Sequence, residues 1–177
     1  VENLKKAGIT KGVYYVGDVL YDRWLEWNSG VIIDEPKYRV PFLTIHRQEN
    51  VTEKRLEVIF KRIKKELENL IDYDISAGTP YPTDNIIFPV HPRTGKFIKD
   101  NFISVPSWVK MIDPLSHEET LKHVLFSEHV YTDSGGVQRE AIFSNTPCTV
   151  LRKKNEWEGT KRSDYGDGTA GDKIKKT

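Results

Sequence analysis

Thr132-Asp133-Ser134-Gly135-Gly136-Val137-Gln138-Arg139-Glu140-Ala141 is the stretch on which the fold of this chain turns. It follows a short β-rich segment, Glu128 to Tyr131, and opens an amphipathic one, Gln138 to Phe143. The run reads as a strand, a tight glycine turn and the N-terminus of a helix. A helix start carries unpaired backbone N–H groups and a partial positive charge, so it favours anions. Gly135 and Gly136 bring no side chain that would keep a phosphate from those groups. Ser134 adds a hydroxyl, either to the phosphate or as the helix cap. Glu140 falls about a turn and a half into the helix, where a carboxylate can accept two hydrogen bonds from a ribose diol. Together these residues suggest a site for a nucleotide diphosphate. A plain capped helix after a strand would leave the same letters, so the rest of the chain has to decide.

Outward from this run, strands and helices alternate. Glu2 to Ala7 reads as a helix end closed by Gly8, Gly12 to Val16 as a strand, and Asp18 as the cap of a helix to about Trp27. Phe42 to Ile45 is an apolar strand. Thr52 caps a long helix with Leu56, Ile59, Phe60, Ile63, Leu67 and Leu70 on one face. A loop over 72–84 leads to a strand at Asn85 to Val90 and a helix from Arg93 to Asn101. Val109 to Ile112 and His117 to Phe126 form the next strand and helix. His129 to Tyr131 and Cys148 to Leu151 are strands on either side of the glycine-turn helix. Lys153 to Thr177 is polar, rich in glycine, and reads as loop with one short hairpin.

Short apolar strands between helices predict an α/β fold: a Rossmann-like parallel sheet with helices on both faces. Ligands of such sheets bind beyond the C-terminal ends of the strands. Five expected strand ends carry polar or turn residues there: Gly17-Asp18, His46-Arg47, His91-Pro92, Asp113-Pro114 and Ser134-Gly135-Gly136.

Composition narrows the function. The 177 residues carry 27 Lys and Arg against 26 Asp and Glu, a net charge of +1, which provides no basic field for nucleic acid. The one cysteine, Cys148, rules out an internal disulfide and a cysteine-based zinc cluster. Its apolar setting reads as core. No apolar run approaches the roughly 20 residues of a membrane span, and no signal peptide is visible; the expected compartment is the cytoplasm.

His46 leaves its strand at the ligand rim, where a histidine can donate to a diphosphate or act as a general acid. Arg47 offers a permanently charged fork for phosphate or carboxylate. Glu49 and Asn50 either fix this loop or cap the next helix. His91, before Pro92, is either packed against a rigid turn or a ligand contact. His117, beside Glu118 and Glu119, reads as a solvated helix face, and His123 and His129 show no partner pattern. Five histidines without a spaced carboxylate or cysteine set predict no metal site. Arg152 to Glu158, containing Glu156 and Trp157, follows the last strand and either faces the same cleft or is a solvated loop. There is no Gly-x-Gly-x-x-Gly, no Walker-type phosphate loop and no Gly-x-Ser-x-Gly elbow.

The order of the motifs resembles a known family. Gly17-Asp18-Val19-Leu20-Tyr21-Asp22, His46-Arg47-x-Glu49-Asn50, Val90-His91-Pro92, Asp113-Pro114-Leu115 and Asp133-Ser134-Gly135-Gly136-Val137-Gln138-x-Glu140-Ala141 follow one another as in UDP-N-acetylglucosamine 2-epimerases. Leu151-Arg152-x-x-x-Glu156-Trp157 resembles the segment after that family's last motif. The resemblance runs over roughly residues 10 to 170. It implies one half of a GT-B fold. Residues 1–16 would be the end of the N-terminal domain or a linker, and 17–177 the C-terminal UDP-binding domain. It implies that UDP is eliminated to give a 2-acetamidoglucal and added back after inversion at C2, with no cofactor. Ser134, Gly135 and Gly136 would hold the diphosphate, Glu140 the ribose, and Arg152 would join them in substrate binding. His46 would be catalytic, facing the phosphates and the leaving oxygen. Arg47 and His91 match positions that meet a second, activating UDP-N-acetylglucosamine in bacterial members. The partners implied are the substrate, the N-terminal domain and a second copy in a homodimer, with no nucleic acid and no membrane.

Three positions depart from the family pattern. Thr120 stands where an aromatic is common, Arg139 where an acidic residue is common, and Asn155 replaces a usual threonine. The family's acidic residues for proton removal at C2 belong to the other domain. The expectation is therefore a chain that binds UDP weakly and turns nothing over. The alternatives are a hydrolysing epimerase, a GT-B glycosyltransferase and a non-catalytic nucleotide-sugar binding module.

Overall fold

Five short apolar runs become five parallel strands because both of their faces find helices to pack against. A computed structural model describes residues 2–30, 39–71, 85–152 and 161–176. Its strands are β1 (Phe42–Thr44), β2 (Ile86–Pro89), β3 (Val109–Ile112), β4 (Val130–Thr132) and β5 (Cys148–Val150). Its helices are α1 (Glu2–Lys6), α2 (Val19–Gly30), α3 (Glu53–Ile71), α4 (Pro92–Asp100), α5 (His117–Phe126), α6 (Gly135–Ser144) and α7 (Ala170–Lys176). The expected loop over 72–84, the Leu70 side chain, and Asn155, Glu156 and Trp157 lie outside the described residues. The chain divides into two compact units, 34–158 and 1–33 with 159–177.

In the larger unit the strand order is β3-β2-β1-β4-β5, every pair parallel. Phe42 of β1 pairs with Ile87 on one side and Val130 on the other, so the three side chains share a face. That face packs on Val124 of α5 and on Val137 and Ala141 of α6. The alternate residues, Leu43, Ile86, Phe88 and Tyr131, meet Leu56, Ile59, Phe60, Ile63 and Leu67 of α3 and Ile98 of α4. Helices cover both faces, as the pattern of short apolar strands requires. Cys148 sits at the start of β5, where burial pushes its thiol up to about 12.

The smaller unit holds α1, α2, a 3₁₀ turn at Arg162–Tyr165, and α7. Two expectations fail here. Gly12 to Val16 forms no strand: Gly12 takes a positive φ of 69° and Tyr14 and Tyr15 stay exposed. Gly17-Asp18 therefore does not end a strand. Gly17 has a φ of 98°, and a Cβ there would lie 3.0 Å from the Tyr165 carbonyl oxygen. Asp18 caps α2, its carboxylate accepting from Leu20 N–H at 2.9 Å. The described part of the tail, expected as loop with a hairpin, is helical. α7 lacks a local signal because its cap comes from far along the chain. The Asp22 carboxylate accepts from the N–H groups of Ala170 at 3.2 Å and Gly171 at 2.8 Å. Among the described residues no helix is long and apolar enough to cross a membrane.

Candidate functional site

The chain leaves β1 towards β2 in one direction and reaches β4 in the other, so the sheet has its switch point between β1 and β4. The connection after β1 leads to α3 on one face of the sheet and that after β4 to α6 on the other, the divergence that opens a crevice at such a switch point. Two sequence motifs meet there, His46-Arg47 after β1 and Asp133-Ser134 after β4.

Asp133 is the knot between them. Its side chain is fully buried, and it accepts from His46 N–H at 3.1 Å, Arg47 N–H at 3.0 Å and the Asn50 side-chain amide at 3.0 Å. His46 Nδ1 lies 2.9 Å from its Oδ1. Burial pushes the Asp133 carboxyl up, but the hydrogen bonds from His46, Asn50 and the two backbone N–H groups outweigh it and hold the group below the usual carboxylate range. An ionised carboxylate only accepts, so the proton of the imidazole bond sits on Nδ1, and Nε2 is the nitrogen left for a ligand. Asn50 is itself oriented: its amide nitrogen also donates to the Leu151 carbonyl at 3.1 Å, and its oxygen accepts from Arg55 Nε and Nη2, each at 3.2 Å. The carbonyl of Ile45, just before His46, accepts from the buried Thr94 hydroxyl at 2.9 Å.

α6 begins at the glycine turn. Ser134 is its cap, its Oγ accepting from Val137 N–H at 3.4 Å, a bond that leaves the hydroxyl's own proton for the other role. Thr132 Oγ1 accepts from Ser134 N–H at 2.9 Å. Gly135 is buried, while Gly136 is in open surroundings: a Cβ there would meet only Ser134 Oγ, at 3.7 Å. Neither packing nor a positive φ demands glycine at 136, and its bare backbone leaves room for a ligand to approach the helix start. Glu140 follows Gly136 by four residues and shares its face of the helix. Ser134 and Glu140 are separated by about 9 Å of helix axis. Glu140 is buried, and His117 Nε2 lies 2.8 Å from its Oε1. Arg152, after β5, comes to the first turns of α6 by donating from Nη2 to Gln138 Oε1 at 2.9 Å.

The structure thus brings His46 and the Ser134-Gly135-Gly136 turn to one crevice, and joins Arg152 and Glu140 to α6. Arg47 contributes its backbone to Asp133. His91 is a cap: its Nδ1 accepts from Arg93 N–H at 3.2 Å at the start of α4, and its ring centroid lies 6.2 Å from that of His46. His123 stacks on Phe42, and burial lowers its pKa; His129 is similarly lowered by burial beside Thr149. Sequence reasoning missed Asp133, Gln138 and His117 as site residues. Asp133 and Gln138 lie within the Thr132–Ala141 run, but nothing local to it gives either a partner. His117 reads as solvated from sequence because its partner, Glu140, is on another helix. Among the described residues no group of three His, Cys, Asp or Glu could hold a metal ion.

A parallel sheet in this strand order, with a glycine turn and a carboxylate-held histidine at its switch point, defines a Rossmann-like domain of the doubly wound class. The sequence profile described as UDP-N-acetylglucosamine 2-epimerase matches residues 1–164, and the chain belongs to that family. A Methanococcus maripaludis protein named UDP-N-acetylglucosamine 2-epimerase homolog is 36% identical over 171 residues, covering 89% of this chain and 44% of that protein. A Pseudomonas aeruginosa protein named UDP-2,3-diacetamido-2,3-dideoxy-D-glucuronate 2-epimerase is 29% identical over 163 residues, covering 89% of this chain and 42% of that protein. The crystal structure of Methanocaldococcus jannaschii UDP-GlcNAc 2-epimerase in complex with UDP-GlcNAc and UDP superposes with a TM-score of 0.75 at 26% identity, over 99% of this chain and 57% of that one. The chain spans about half the length of the relatives it matches, and its fold is one Rossmann-like half of their GT-B architecture.

Proposed function

We propose that this chain is the UDP-binding half of a UDP-N-acetylglucosamine 2-epimerase. The observation that carries the reading is the continuity of α6. A capped N-terminus and an open Gly136 lead, one turn along the same face, to the buried Glu140 carboxylate. A helix start suits a diphosphate and a carboxylate suits a ribose diol, and about 9 Å of axis separates Ser134 from Glu140. In this reading Ser134, Gly135 and Gly136 hold the diphosphate, Arg152 adds positive charge, and Glu140 takes the ribose. Residues 17–177 form the UDP-binding domain, and 1–16 end the facing domain or link to it.

In the reaction a base removes the C2 proton of the sugar, the C1–O bond breaks, and UDP leaves with the bonding pair to give the 2-acetamidoglucal. Return of UDP to C1 and of a proton to the opposite face of C2 gives the inverted sugar. His46 serves the leaving group: with Nδ1–H held by Asp133, a ring that also carries a proton on Nε2 can donate it to the diphosphate oxygen as the C1–O bond breaks. The base at C2 belongs to the facing domain, since proton transfer needs a group held within hydrogen-bond reach of that carbon. Arg47 and His91 are the positions at which a second, activating UDP-N-acetylglucosamine would be met. The relatives' names differ in the sugar and share UDP and C2, and the residues above address the UDP.

Calorimetric titration of the chain with UDP tests this. Saturable binding that Glu140→Ala weakens by about tenfold is expected, the scale of a hydrogen-bonded charge lost from a site. Binding unchanged by that substitution removes the ribose assignment. Absence of UDP binding by the folded chain removes the nucleotide site.

A further inference from the structure

Two buried carboxylates flank the glycine turn, and the fold treats them differently. Asp133 is saturated with donors from His46, Arg47 and Asn50. Glu140 has a side chain only 5% exposed, yet its one protein partner among the described residues is His117, through Oε1. A largely buried carboxylate with a single donor among the described residues has acceptor capacity to spare for a ligand. A ribose diol supplies two donors.

His117 is the first residue of α5. The capping box fixes it there, with Ser116 Oγ accepting from Glu119 N–H at 3.2 Å and Glu119 Oε2 accepting from Ser116 N–H at 2.8 Å. From this helix end the imidazole crosses to α6 while its side chain stays 61% exposed. A surface histidine spent on a buried carboxylate of another helix adds little to the core. It does decide which carboxylate oxygen is free, and in which rotamer.

We propose that His117 is a positioning residue for nucleotide binding: by holding Glu140 Oε1 it presents Oε2 to the ribose diol. The inference rests on reading the α6 face as the UDP site. A carboxylate without this tether turns freely about its terminal torsion and recruits water that the diol must then displace.

The test is a set of UDP titrations on the chain, with thermal unfolding to establish that each variant is folded. His117→Ala is expected to weaken UDP about tenfold, as loss of one charge-assisted hydrogen bond would. His117→Gln, whose amide nitrogen can take the place of Nε2, is expected to restore most of that loss. In the Glu140→Ala background His117→Ala is expected to cost nothing further, because the two residues act as one unit. UDP binding that weakens in Glu140→Ala and not in His117→Ala overturns the proposal and leaves the UDP site standing. Additive losses in the double variant, or no rescue by Gln, also overturn it, since His117 would then act independently of Glu140. A wild-type chain that does not bind UDP overturns both readings.

Discussion

A charge buried at the end of a strand is useful only if its surroundings never let it go, and Asp133 meets that condition. The backbone N–H groups of His46 and Arg47 and the Asn50 amide close around it, so its ionised form is built into the fold. Its pKa lies below the usual value, so the unfolded chain binds the proton more readily than the folded one does. The stability it contributes is therefore complete above about pH 4, the unfolded value, and is lost as pH falls through the lower folded value. Asp133→Asn removes the charge and is expected to cost about 2–4 kcal/mol at neutral pH. The stability difference between wild type and variant, read from urea unfolding, should hold from pH 8 to 5 and shrink below about pH 4. A difference that stays constant down to pH 3 would mean that Asp133 does not ionise as described. Sequence reasoning saw this residue only as a letter in a turn motif. What makes it central is the return of the chain, from 133 to 46–50, which no local spacing shows.

Whole elements were far more legible than their polar joints. β3 and α5 fall where the apolar spacing predicts them, and α3 buries the face given by Leu56, Ile59, Ile63 and Leu67. Such elements carry their signal internally, in period and cap. The failures share the opposite property. The Gly12 to Val16 run has strand-like residues but glycines at positive φ near and beyond its ends, at 12 and 17. α7 is seven residues long and is capped by Asp22, distant in sequence. The tie between α4 and β1 is of the same kind: Thr94, fully buried, donates to the Ile45 carbonyl beside His46. Thr94→Val keeps the volume and strands that carbonyl, so a loss of about 1–3 kcal/mol in urea unfolding is expected, at unchanged slope. A loss below 0.5 kcal/mol, the usual size of a change away from such features, would show that the bond does not hold α4 to the sheet.

At the scale of the whole molecule, this site is, in the proposed reading, one half of a catalytic apparatus. In that reading His46, the α6 N-terminus and Glu140 all address a nucleotide, and none of them is assigned to the C2 carbon of a sugar. The relatives of this family extend to about twice the matched length, and the facing half is where a base for C2 would stand. Family membership was legible because the motifs are short, ordered and sit at strand ends, where sequence and chemistry coincide. Turnover is a different matter, since it depends on two surfaces closing on one substrate. Incubation of this chain with UDP-N-acetylglucosamine in deuterated water separates binding from chemistry. Each elimination removes the C2 hydrogen and each re-addition takes one from solvent, so an active enzyme would place deuterium at C2. The 177-residue chain is expected to leave the C2 proton signal intact while UDP titration shows an occupied site. Deuterium at C2 would mean that a base within this chain reaches the sugar, and the division of labour between the two halves would have to be redrawn.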